Sequence, residues 1–266
     1  MSCRIIQRYV APAWLGLLWV QCVGCSDGSK PSRTPLKIAA AASLTDVFQD
    51  LEPIFEAAHP EIDVQFIFAG SQVLRWQIES GLSVDLFASA DLRDLHLLQE
   101  SGRVANEVSI ASNALVMVYR PAESSVVQQM SDLDHIDSFV LGVEGSPIGR
   151  YTEELLMGAE GLVGAGFRAG VHRKVVSYEK NVRLLRSKVE IGGVAAAVVY
   201  ASDVRGSHGL SGFRFPPSIQ PQIRYPIALL HSSSHQEEAG NWIRFIQSND
   251  AQTIWTYHGF GPGEQP

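Results

Sequence analysis

The chain has 266 residues, 45% of them apolar, with 28 acidic against 21 basic side chains and a formal charge of -7. That apolar content can bury one large core or two smaller ones, and no block rich in Lys and Arg supplies the electrostatic footprint that nucleic acid requires. Aromatic content of 9%, with Gly and Pro spread along the chain, excludes a disordered or fibrous protein.

The first 25 residues read differently from the rest. Arg4 and Arg8 precede an apolar run at 10–20 (VAPAWLGLLWV), too short to cross a bilayer as a mature helix. Residues 21–25 (QCVGC) and a polar stretch follow, the layout of a secretory signal. The segment resembles a bacterial lipoprotein signal, which implies cleavage after residue 24 and a lipid on Cys25. Cys22 stands where that pattern usually has leucine, so an ordinary signal cut nearby and an uncleaved anchor stay open. A redox reading of Cys22 and Cys25 needs a folded strand–helix context that a signal core does not supply. Cleavage there removes Arg4 and Arg8, takes the formal charge from -7 to -9, and leaves Cys25 as the only cysteine. Residues 25–35 are then the lipidated cysteine and a flexible tether.

From residue 36 short apolar strands alternate with amphipathic helices. Residues 36–41 (LKIAAA) form a buried strand. Ser43 and Thr45 open a helix that places Val47, Phe48, Leu51, Ile54 and Phe55 on one side, with Pro53 expected to bend or split it. Residues 62, 64, 66 and 68 alternate as a strand; Gly70 and Ser71 turn into a helix stopped by Gly81; 84–88 is a strand and 92–100 a helix. A strand at 114–119 leads to a second unit: strand 139–143, helix 149–157, strand 174–177, helix 181–189, strand 194–200. Strand 225–230 and helices at 237–247 and 251–257 complete the chain. This order predicts an α/β protein of mostly parallel sheets flanked by helices. Whether the chain crosses back to its first unit is not decided by periodicity.

Ligands of such sheets sit beyond the carboxyl ends of strands, where helices begin. Four places have that character: 40–43, 69–71, 145–149 and 181–182. Unpaired N–H groups and a positive dipole end make a helix start a site for anions. Ser43 or Ser71 taken alone is equally the side chain that caps its own helix. Tyr200, at the end of an apolar run, fits a core residue with its hydroxyl on a backbone carbonyl.

Residues 36–46 (LKIAAAASLTD), 68–81 (FAGSQVLRWQIESG), 84–91 (VDLFASAD), 197–203 (AVVYASD) and 225–230 together resemble the periplasmic molybdate-binding proteins of ABC importers, over about 36–260. The resemblance implies a two-lobed type II periplasmic-binding-protein fold joined by two crossover strands, with lobe one at 36–115 plus 229–261 and lobe two at 116–228. It implies an interlobe cleft for molybdate or tungstate, held by the hydroxyls of Ser43, Ser71 and Tyr200 and the backbone N–H groups of Ile148 and Val182. It also implies a monomer at the outer face of the cytoplasmic membrane or in the periplasm, an inner-membrane permease as partner, no cofactor and no catalysis. Two positions depart from the family pattern: Ile148 stands where alanine is usual, and Gly70 where a serine is common. Arg150 and Arg183 lie near the proposed cleft and are expected outside the anion's direct contacts. Sulfate or thiosulfate is the alternative ligand.

An enzyme is the competing class. Ser146 invites a nucleophile reading, but Glu144 occupies the first glycine position of a Gly-x-Ser-x-Gly elbow. His231 and His235 have the spacing of a metal pair but enclose three serines and lack a linking Glu and a third ligand; His172, His208 and His258 lack ligand spacing as well.

Overall fold

The computed structural model describes residues 33–121, 127–205 and 209–263; Cys25 and the signal-like segment lie outside them. Among the described residues, the first sheet has the strand order β11-β4-β10-β3-β1-β2. Its parallel half is β1 (Thr34–Ala41), β2 (Ile62–Ala69) and β3 (Leu86–Ala88). Its antiparallel half is β4 (Val108–Asn113), β10 (Ile223–Leu229) and β11 (Gly261–Pro262). The second sheet runs β7-β6-β8-β5-β9. Here β6 (Phe139–Gly142), β7 (Val175–Glu179) and β8 (Ala196–Tyr200) are parallel, while β5 (Leu115–Tyr119) and β9 (Ser211–Arg214) are antiparallel. Both sheets are therefore more mixed than the sequence pattern predicts. β10 and β11 in the first sheet and β5 in the second run opposite to the βαβ strands, whereas β4 and β9 run with them.

Side chains alternating along β1 show why the first lobe needs helices on both faces. Ile38 and Ala40 point into a core shared with α1 (Thr45–Ala58), α8 (Gln236–Ile246) and α9 (Asn249–Tyr257). Ala39 points the other way, to a smaller core with Leu74 and Ile78 of α2 (Ser71–Glu79) and Leu95 and Leu98 of α3 (Leu92–Glu100). The first core is aromatic: Phe48 and Phe55 meet Trp242 edge-on at ring centroids of 5.5 and 5.1 Å, and Trp255 meets Phe48 at 5.9 Å. Both tryptophans are fully buried, so truncating either to alanine removes about 3–5 kcal/mol of stability. Because α8 and α9 pack on α1, the chain does return to its first lobe.

The second lobe carries α4 (Pro147–Val163), α5 (Phe167–Arg173), α6 (Val182–Glu190) and the short α7 (Ala201–Val204) around its sheet. The chain leaves lobe one at Ala114, whose carbonyl accepts from the Ala201 N–H at 2.8 Å. It returns before residue 223. Gln220 fastens the two crossings by bonding both the N–H and the carbonyl of Leu115 at 2.8 Å. β10 thus belongs wholly to the first sheet, whereas the sequence reading leaves residues up to 228 in lobe two.

Two details of α1 differ from expectation. The helix runs through Pro53 without a break, because Pro53 and Gln49, whose carbonyl it leaves without an amide partner, both face solvent. Ile54, at the margin of the apolar stripe, is 47% exposed. The short elements β4, β9, α5 and α7 have no clear periodicity and are absent from the sequence reading.

Candidate functional site

A narrow cleft between the lobes leaves about 20 Å³ open to the centre of a water-sized sphere, room for little more than one small ion. Ser43, Ser71, Ile148, Val182 and Tyr200 all line it. They arrive from both sheets: Ser43 and Ser71 follow β1 and β2, Ile148 and Val182 open α4 and α6, and Tyr200 ends β8.

The four helix starts divide into two kinds. Ser43 does not cap a helix. It lies in a 3₁₀ turn, Ala42–Leu44, and its Oγ accepts from the Tyr225 hydroxyl at 3.1 Å. Ser71 is the first residue of α2 after Gly70, and its Oγ accepts from the Ala90 N–H at 3.0 Å. In lobe two the capping is done by Ser146 and Asn181. Ser146 Oγ accepts from the Gly149 N–H at 3.1 Å while donating to the Val143 carbonyl at 2.7 Å; Asn181 Oδ1 accepts from the Leu184 N–H at 3.1 Å. With both capping side chains turned onto their helices, the amides of Ile148 and Val182 are first-turn N–H groups with no carbonyl one turn back to receive them. Neither bonds to another group among the described residues.

Tyr200 completes the wall. It is 1% exposed, and its hydroxyl has no partner among the described residues. The alternative of a core tyrosine bonded to a carbonyl therefore does not hold. Burial pushes its phenol well above the ordinary value, so the hydroxyl keeps its proton and remains a donor.

Both departures from the family pattern have a structural reading. The Ile148 side chain is 2% exposed, with its Cγ2 packed over Gly142, so its bulk goes into lobe two and its amide alone serves the cleft. A Cβ on Gly70 would strike the Lys180 carbonyl across the cleft mouth, where Gln72 Nε2 donates to that same carbonyl at 2.7 Å. Gly70 thus permits a close approach of the two lobes.

The arginines near the cleft are occupied elsewhere. Arg150 of α4 reaches across to Asp91, which caps α3, and to Asp94 at 3.1 Å, while Arg75 holds the other Asp94 oxygen at 2.9 Å. Burial pushes the Asp91 carboxyl up, opposed by the Arg150 guanidinium beside it. Arg183 of α6 donates to the Ala42 carbonyl at 2.9 Å and pairs with Asp46 at 2.5 Å. Both arginines clasp lobe to lobe. Behind Tyr200, burial pushes the Asp203 carboxyl up to about 7, opposed by Arg183 and Arg186. Sequence reasoning missed Asp91, Asp94, Asn113 and Tyr225 as supporting residues, since each acts through a contact distant in sequence.

Ser146, His231 and His235, which compete for an enzymatic reading, have other partners, and His208 lies outside the described residues. Ser146 is a cap, His231 Nδ1 meets the Gly102 carbonyl at 3.0 Å, and His235 Nδ1 meets Asp85 at 3.1 Å.

This chain belongs to the bacterial extracellular solute-binding protein family, which it matches over residues 36–261. It is 30% identical over 245 residues to the putative ABC transporter substrate-binding lipoprotein YvgL of Bacillus subtilis, covering 89% of this chain and 92% of that one. It is 27% identical over 267 residues to the molybdate-binding protein ModA of Mycobacterium tuberculosis, covering 93% and 98%. Among solved structures, the periplasmic molybdate-binding protein of Azotobacter vinelandii superposes with a TM-score of 0.74 at 18% identity, covering 87% of this chain and 99% of that one. The sulfate-binding protein SubI of Mycobacterium tuberculosis reaches the same TM-score and identity, covering 86% and 87%. The fold is that of periplasmic binding proteins.

Proposed function

We propose that the protein captures molybdate or tungstate in the interlobe cleft and delivers it to an ABC permease, without chemistry of its own. The observation that carries this reading is the unpartnered Tyr200 hydroxyl, buried and facing a cleft that is also lined by Ser43 and Ser71 and by two bare helix-start amides. A fully deprotonated tetrahedral dianion requires donors on every side, and none of the five groups is a carboxylate. Monohydrogen phosphate brings a proton that needs an acceptor and is disfavoured. Sulfate carries the right charge on shorter bonds, so it stretches the hydrogen bonds of a cleft shaped for the larger anions. With Arg150 and Arg183 neutralised by acids, attraction falls to aimed dipoles.

In the proposed cycle the anion meets one lobe of an open form, hinge motion brings up the other donors, and the clasps of Arg150, Arg183 and Gln72 hold the closed form. Export by the residue 1–24 signal, lipid attachment at Cys25, a monomeric state and a place at the outer face of the cytoplasmic membrane or in the periplasm belong to the same proposal. The likeness to YvgL and ModA supports it. Sulfate is the second reading, favoured by the likeness to SubI. Calorimetric titration with molybdate, tungstate, sulfate and phosphate tests both. Tight binding of the first two is expected; preference for sulfate, or no saturable binding, overturns the proposal.

A further inference from the structure

Tyr225 contributes nothing to the cleft surface, yet its position controls what Ser43 can offer a ligand. The side chain is fully buried on β10, and its hydroxyl lies between two groups. On one side Asn113 Nδ2 donates to it at 3.4 Å while also donating to Ser202 Oγ at 2.9 Å. On the other side its own proton goes to Ser43 Oγ at 3.1 Å. The order cannot simply reverse. Asn113 Oδ1 accepts from the Ala114 N–H at 2.9 Å, which keeps the amide's NH₂ turned toward Tyr225. Tyr225 then has no acceptor other than Ser43 for its proton among the described residues. Burial also pushes the Tyr225 phenol well above its ordinary value, so that proton stays in place.

The consequence falls on Ser43. With a lone pair taken by Tyr225, its own O–H finds no acceptor among the described residues and must look to the cleft. We propose that Tyr225 is a positioning residue that turns Ser43 into a donor toward the anion and so sets part of the discrimination between fully deprotonated and protonated oxyanions. This rests on the oxyanion reading of the cleft. The chain of donors from Asn113 also polarises each successive hydroxyl, strengthening the last one. Ser71 has the same arrangement by another route, its lone pair taken by the Ala90 N–H. Tyr225 and Asn113 both lie on strands that adjoin the lobe crossings, so the donor state of Ser43 is tied to the pivot between the lobes.

The test is a double-mutant cycle on the full chain, read by calorimetry with sodium molybdate and with phosphate at pH 8. Tyr225→Phe keeps the ring and is expected to weaken molybdate binding about three- to tenfold, the scale of one neutral hydrogen bond. The molybdate-to-phosphate affinity ratio falls with it, because the Ser43 lone pair is released to accept a proton. In a Ser43→Ala background Tyr225→Phe has no further effect on either quantity. Asn113→Ala, which frees the Tyr225 hydroxyl to reverse, shifts both quantities the same way by less. A merely structural role would move the melting temperature and persist in the Ser43→Ala background; that result, or an unchanged ratio, overturns the assignment. If Ser43→Ala weakens binding while Tyr225→Phe does not, only the role of Tyr225 fails. A wild-type protein that binds no oxyanion overturns this assignment and the reading beneath it together.

Discussion

The two walls of the cleft make donors in different ways. Lobe one uses side chains: Ser43 and Ser71 sit where helices begin, but each has an oxygen lone pair occupied by a partner, Tyr225 or Ala90, leaving its proton for the cleft. Lobe two uses the main chain: Ser146 and Asn181 fold back as caps, and the amides beside them face the cleft with no hydrogen-bond acceptor of their own. A hydroxyl can be deleted by one substitution and needs a second residue to orient it. An amide is oriented by the helix and is indifferent to its side chain, which explains why isoleucine at 148 is compatible with the same site.

The largest predicted effect tests the main-chain wall. Val182 is the first residue of α6, after an extended Asn181 with φ -155° and ψ 163°, a backbone that suits the residue before a proline, and the first helical position suits proline itself. Val182→Pro therefore deletes the amide hydrogen while keeping the helix, and binding of molybdate should fall by about a hundredfold or more. Ile148→Ala, which changes only a buried side chain, should stay within about threefold in Kd if the protein remains folded. Equal, small effects from both substitutions would break the contrast between the walls. Next in size, Ser43→Ala and Ser71→Ala should each weaken binding roughly ten- to hundredfold, the range for a hydrogen bond to a charged group. Wild-type affinity in both variants by calorimetry would remove lobe one from the site.

The same contrast explains what was legible in the sequence. Strand ends with small residues, such as 39–42 and 69–70, and a Pro at the start of a helix, such as Pro147, are local patterns, and they point to the four helix starts. The family likeness then singles out Ser43, Ser71, Ile148, Val182 and Tyr200, and these five line one cleft. What each serine does with its lone pairs is not local: Tyr225 lies 182 residues from Ser43, and Arg150 lies 59 from Asp91. No periodicity carries such pairings. The same reasoning covers β10, whose apolar run fits either sheet until its neighbours β3 and β4 are known. Pro53 does not split α1 for the opposite reason, a strong local rule relaxed by solvent on the side where the helix loses its bond.

Tyr200 sharpens the comparison, being a side-chain donor contributed by lobe two. An unpartnered buried hydroxyl destabilises the unliganded protein by about 1–3 kcal/mol, so Tyr200→Phe should leave the melting temperature unchanged or raise it. Molybdate affinity should fall about tenfold in the same variant. Loss of both stability and affinity would mean that the hydroxyl has a structural partner.

The smallest predicted effect concerns the clasp between the walls. Arg150 reaches from lobe two to Asp91 and Asp94, both almost fully buried in lobe one, with Arg75 already on Asp94. If closure holds the anion, removing this cation leaves two neighbouring buried carboxylates facing one arginine and disfavours the closed form. Arg150→Gln should then raise the molybdate dissociation rate roughly three- to fivefold, with association changed by less than about twofold, in stopped-flow measurements. Adding Asp91→Asn to that variant relieves the stranded charge and should recover part of the lost affinity. A direct anion ligand would behave otherwise: its loss would slow association in low salt, and removing a nearby acid from the wild-type protein would tighten binding. Recovery in the double variant, set against loss in the Asp91→Asn single variant, therefore separates a residue that holds the walls together from one that holds the anion.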